Sequence, residues 1–171
     1  MLHLIIGGNG SGKSAYAEDC ILKLQGQQRI YIATMQPFDE ESRQKVLRHQ
    51  QMRADKCFET IECPTNLDKL QIPSGADVLL ECLSNLTANE MYQADGAREA
   101  TVAMVSQGVA SIASQANNVI VVTNDIFADI ANYSDETKRY QEYLGTINQR
   151  IAKVADMVTE VVYGIPLTLK G

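Results

Sequence analysis

Residues 7–14 read Gly-Gly-Asn-Gly-Ser-Gly-Lys-Ser, and no other stretch limits so strongly what the chain can fold into. The spacing is G-x-x-x-x-G-K-[ST], the P-loop pattern. Its glycines let backbone N–H groups turn inward around an anion without side-chain clash. A helix starting near Lys13 adds unpaired N–H groups and the positive end of its dipole. In this pattern the lysine reaches the β- and γ-phosphates and the last hydroxyl can ligate Mg²⁺. Gly7, Gly8, Asn9, Gly10, Ser11, Gly12, Lys13 and Ser14 are therefore candidate nucleotide-binding residues, with Lys13 also a catalytic candidate and Ser14 a metal ligand. The pattern carries this meaning only between a strand and a helix. Here Leu2–Ile6 is a short apolar run, and residues 15–25 place Ala15, Ala17, Cys20, Ile21, Leu22 and Leu24 in a helix-compatible order with no Pro or internal Gly. The competing interpretation, an ordinary glycine-rich strand-to-helix turn, would not require every motif position to be filled.

The rest of the chain alternates in type. Strands are predicted at Arg29–Thr34, Phe58–Glu62, Ala76–Cys82, Asn118–Asn124 and Val158–Tyr163. Helices are predicted at Asp39–Arg53, Leu67–Leu70, Ser84–Met91, Ala97–Gln115 and Asp135–Met157. A turn at Gly164-Ile165-Pro166 leads to Leu167–Lys170, an antiparallel edge strand. This order predicts an α/β fold: one P-loop NTPase-like domain over residues 1–171, a mostly parallel sheet with helices on both faces, and an antiparallel C-terminal edge. Ligands in such sheets bind at the carboxyl ends of the strands.

Composition removes several functions. The net charge is −6 and the pI about 4.9, so a nucleic-acid partner, which needs a basic face, is not expected. No apolar run approaches membrane-spanning length, and no charged segment and long apolar core precede the strand at Leu2, so no membrane partner is expected. Cys20, Cys57, Cys63 and Cys82 are scattered without a C-x-x-C pair, which suggests neither zinc nor a disulfide framework. The expected setting is the reducing cytoplasm.

Three further places bear on chemistry. Glu81 ends the apolar run Val78-Leu79-Leu80, where P-loop proteins place a carboxylate for Mg²⁺ or for orienting a nucleophile. It is a catalytic and metal-binding candidate. The chain has two histidines. His3, in the first strand, fits a satisfied structural role. His49 lies on a polar helix beside Arg48 and Arg53; on the residues alone, a surface position is favoured over a nucleophile. Asn124-Asp125 follows a strand but lacks the lysine of the N-K-x-D guanine-reading loop, which disfavours a switch-type GTPase; Asp125 can face the site or cap a turn.

Taken together, these segments resemble the bifunctional adenosylcobinamide kinase/adenosylcobinamide-phosphate guanylyltransferases of cobalamin synthesis. The resemblance rests on Gly7-Gly8-x-x-Ser11-Gly12-Lys13-Ser14, Tyr31-Ile32-Ala33-Thr34, His49-x-x-x-Arg53, Thr60-x-Glu62 and Leu79-Leu80-Glu81-Cys82 with Asn89. It continues through Val122-Thr123-Asn124, Gly145-x-x-Asn148-Gln149 with Ala155-Asp156, and Gly164-Ile165-Pro166 with Leu169-Lys170. It implies phosphorylation of adenosylcobinamide by a nucleoside triphosphate, then transfer of GMP from GTP to the product through a guanylylated histidine. The matching histidine is His49, which makes it a catalytic candidate. Arg53, Thr34 and Glu62 are implied nucleotide contacts, with Mg²⁺ and GTP or ATP required and a cyclic homo-oligomer, dimer or trimer, expected. The chain departs from the family where T-N-E-V-G-x-G-I-V-P becomes Thr123-Asn124-Asp125-Ile126-Phe127-Ala128-Asp129-Ile130-Ala131, near the expected acceptor site. Two alternatives stay open: a P-loop kinase on another small hydroxyl substrate without guanylyl transfer, and a non-catalytic nucleotide- or corrinoid-binding protein.

Overall fold

The computed structural model describes residues 1–24, 26, 28–36, 40, 43, 44, 47, 51, 56–126 and 133–171. Among these, seven strands form one sheet: β1 (Leu2–Gly7), β2 (Arg29–Ala33), β3 (Phe58–Glu62), β4 (Asp77–Glu81), β5 (Asn118–Asn124), β6 (Met157–Val162) and β7 (Ile165–Lys170). Their order across the sheet is β3-β2-β4-β5-β1-β6-β7. Every pairing is parallel except β6 with β7. The expected mostly parallel sheet with an antiparallel C-terminal edge is therefore the observed one. β1 sits between β5 and β6, so the loop that leaves its carboxyl end has neighbours on both sides.

Strand alternation separates two cores. Leu2, Leu4, Ile30, Ile32, Val78, Leu80, Val119 and Val121 point to one face, where α2 (Leu83–Tyr92), α3 (Thr101–Gln115) and α4 (Asp135–Val154) cover them. Ile5, Tyr31, Leu79, Ile120 and Val122 point to the other, where α1 (Lys13–Leu22) packs with Ala17 and Ile21. The period of two in a twisted, doubly covered sheet dictates this division. Each fully buried Leu or Ile contributes about 1.5–3 kcal/mol.

Three boundaries differ from the sequence reading. The last helix ends at Val154 rather than Met157. Asp156 hydrogen-bonds to Leu2 twice, its side chain accepting from Leu2 N at 2.7 Å and its own N–H donating to Leu2 O at 2.8 Å. These bonds draw the chain into the sheet, so Met157 opens β6. The turn expected at residues 164–166 lies at Tyr163-Gly164, since Val162 pairs with Ile165. Pro166 is within β7, a place where an edge strand tolerates its missing donor. The helix predicted from Ala97 begins as a 3-10 turn, Arg98–Ala100, before α3. Of the predicted charged helix Asp39–Arg53, residues 40, 43, 44, 47 and 51 are helical; His49 and Arg53 lie outside the described residues, as do 127–132 of the departing loop. No helix among the described residues is long and apolar enough to cross a membrane.

Candidate active site

The cradle forms because β1 delivers the chain to a loop that requires glycine at positions 7 and 12. Gly12 stands in the left-handed region at φ 90° and is the N-cap of α1. At Gly7, a Cβ would lie 2.5 Å from Ser11 Oγ and 2.6 Å from the Val161 carbonyl oxygen. No side chain caps α1, in contrast to α4, whose Ser134 accepts from Thr137 N. Among the described residues no side chain is thus seen capping the amino end of α1, which suits an anion there.

Lys13 begins this helix and folds back over the loop, donating to Gly8 O at 3.0 Å. It is buried. Burial lowers its ammonium below the ordinary value, opposed by the nearby Cys82 and Glu81. A phosphate would relieve that desolvation by supplying opposite charge.

Strand parity brings Glu81 to the same place. It lies two residues beyond Leu79, which points to the α1 face, so its carboxylate meets the first turn of α1. Ser14 donates to Glu81 Oε1 at 2.6 Å. Tyr31 donates to Oε2 at 2.5 Å, a contact set by the register that pairs Tyr31 with Leu79. Sequence reasoning missed Tyr31, because nothing local says that β2 neighbours β4.

The surroundings fix the end of β4. Thr34 Oγ1 accepts from Cys82 N and donates to Cys82 O, each at 2.8 Å. Thr34 is fully buried, so its hydroxyl braces the Glu81–Cys82 junction rather than facing solvent. Asn89 of α2 donates to Thr34 O at 2.8 Å and to Pro64 O at 3.0 Å. Asn124 donates to Ser84 Oγ at 2.6 Å, and Asp125 N donates to Gly7 O at 3.0 Å. Glu62 is exposed at the end of the outermost parallel strand, opposite Ala33, whose other neighbour is Glu81. His3 is buried against Thr159 Oγ1 at 2.8 Å, the satisfied structural role expected of it. Glu18, wholly buried in α1, is bonded by Lys56, a pairing with no local signal.

The donors around Ser14 and Glu81 suit a hard divalent cation. A hydroxyl and a carboxylate stand within hydrogen-bond reach of each other, and they would hold such an ion together with phosphate oxygens and waters. No group of three or more His, Cys, Asp or Glu among the described residues forms a closed metal cage.

A sequence model described as cobinamide kinase / cobinamide phosphate guanyltransferase matches residues 3–169. The chain belongs to that family. A family member from Escherichia coli, "Bifunctional adenosylcobalamin biosynthesis protein CobU", is 30% identical over 99% of this chain and 100% of its own. Another, "Bifunctional adenosylcobalamin biosynthesis protein CobP" of Pseudomonas aeruginosa, is 29% identical over 100% of this chain and 98% of its own. Among solved structures, a type III secretion system ATPase of pathogenic bacteria superposes with a TM-score of 0.54 at 8% identity, over 98% of this chain and 56% of its own. That likeness shows a shared fold and nothing finer. The cobinamide kinase / guanyltransferase family thus sits here on a P-loop NTPase-like sheet.

Proposed function

We propose that this chain phosphorylates the aminopropanol hydroxyl of adenosylcobinamide with a nucleoside triphosphate, then transfers GMP from GTP to the resulting phosphate. The observation that carries the reading is the full-length family match together with Lys13, Ser14 and Glu81 converging on one cradle. Gly7–Ser14 bind the phosphates through backbone N–H groups. Lys13 neutralises charge as it develops on the transferring phosphoryl group. Ser14 and Glu81 would hold Mg²⁺, which when bound supplies charge neutralisation at the β- and γ-oxygens. Tyr31 orients the Glu81 carboxylate.

For guanylyl transfer we assign His49 as the nucleophile. A neutral imidazole nitrogen attacks the α-phosphorus of GTP; an N–P bond forms, the α–β P–O bond breaks and pyrophosphate leaves. An oxygen of adenosylcobinamide phosphate then attacks the same phosphorus, the N–P bond breaks, and the imidazole is regenerated. Arg53 is assigned to the phosphates, and Glu62 to a nucleotide contact. Thr34 is assigned an indirect part, since its hydroxyl is engaged by Cys82. The homologous family and the exposed edge strand β7 support a homo-oligomer in the cytoplasm.

Intact-mass spectrometry after incubation with GTP and Mg²⁺ tests the transfer half. A GMP-sized adduct, acid-labile and lost in His49→Ala, is the expected result. Phosphorylation of adenosylcobinamide without any adduct would leave a kinase alone and overturn the His49 assignment.

A further inference from the structure

The turn between β6 and β7 consists of Tyr163 and Gly164, flanked by the pair Val162–Ile165. Both have positive φ, 50° and 77°, the type I′ geometry for which Asn-Gly is the favoured pair. A tyrosine in the left-handed region is strained. Its ring gains nothing from packing in return: Tyr163 is 94% exposed, more than any other large hydrophobic residue described. A residue that breaks local preference without a folding gain points to a function.

The position of the turn says which. Gly164 N donates to Ser11 O at 2.7 Å. A Cβ at Gly12 would meet Gly164 Cα at 3.3 Å. The turn is thus fastened to the phosphate cradle itself, backbone against backbone. A triphosphate seated in Gly7–Ser14 must carry its ribose and base outward from the α-phosphate. Tyr163 carries its exposed ring on the two-residue turn that abuts Ser11 and Gly12 of that loop. Aromatic rings offer a face on which any nucleobase stacks.

We propose that Tyr163 is the stacking platform for the purine of the nucleoside triphosphate held in the cradle. The proposal rests on the reading of Gly7–Ser14 as a phosphate site. It also gives that site a specificity. Stacking reads the π-face and not the hydrogen-bonding edge, so this contact favours nucleotides over bare polyphosphate without itself distinguishing ATP from GTP.

Tyr163→Asn is the informative variant, because Asn-Gly keeps the turn and removes only the ring. Isothermal titration with Mg²⁺ and ATP, GTP or inorganic tripolyphosphate should show roughly 10- to 100-fold weaker binding of both nucleotides. Tripolyphosphate should bind as to the parent chain, and Tyr163→Trp should retain nucleotide affinity. Unchanged ATP and GTP affinity in Tyr163→Asn overturns the proposal, whether or not sedimentation shows altered association; altered association would make the hairpin a contact between copies. An equal loss for tripolyphosphate also overturns it, since the turn would then only support the loop. Lys13→Ala, measured alongside, separates the two readings: if it leaves tripolyphosphate affinity intact, the phosphate-cradle reading itself fails, independently of the ring.

Discussion

Lys13 is a buried cation, and the protein bears a cost for it. Burial lowers its pKa below the ordinary 10.5, so the charged form is disfavoured by folding at neutral pH. Lys13→Met should therefore stabilise the ligand-free protein by about 1 kcal/mol in urea unfolding at neutral pH, while tripolyphosphate binding is lost. The sign follows from the shift. The penalty is full where both folded and unfolded lysine are charged, and it disappears as pH rises through the lowered pKa to 10.5, so the gain should shrink at alkaline pH. His3 follows the same sign in a lower pH window. Burial lowers it below 6.5, so the unfolded chain takes up the proton first and stability falls as pH drops below that value. Urea midpoints at about pH 5 and about pH 7 should differ less in His3→Gln than in the parent chain.

Among the elements, the site depends on how the carboxyl ends of β2, β3 and β4 are held together. Asn89 bridges two of them by donating to Thr34 O and Pro64 O. Asn89→Ala leaves two carbonyl oxygens without that donor and should cost about 2 kcal/mol, read as a lower urea midpoint with unchanged slope. This level also shows what the sequence disclosed. Val78-Leu79-Leu80-Glu81 reads as a buried strand ending in an acid, and parity alone places that acid on the Leu79 face. The cradle was legible for the same reason: local spacing encodes it. Tyr31 on Glu81 and Lys56 on Glu18 were not legible, because each depends on which elements become neighbours in the sheet order. The end of α4 was misjudged because Asp156 is claimed by Leu2 across the sheet, a tertiary pull that helical periodicity does not register.

At the scale of the whole molecule, one border of the sheet is unlike the rest. All six residues of β7 are exposed, and Ile165, Leu167 and Leu169 alternate along it with Pro166, Thr168 and Lys170. Natural sheets shield such rows or use them for association. Sedimentation velocity should show a homo-oligomer for the parent chain, and Leu167→Lys combined with Leu169→Lys should shift it toward smaller species while His3, Lys13 and Glu81 keep their surroundings. An unshifted distribution would place the contact elsewhere.

The phosphate loop also has a timing built into it. Its glycines precede their partners in the chain: β1 is flanked by β5 and β6, Gly7 abuts Val161 and Ser11 accepts from Gly164. These partners leave the ribosome long after the motif does. A nascent chain thus carries the signature of a triphosphate site, without a closed site to use, until β5, β6 and β7 have been made. Nucleotide capture should begin only when the β6–β7 hairpin has docked, so that a chain stalled before Met157 consumes no triphosphate and competes for none.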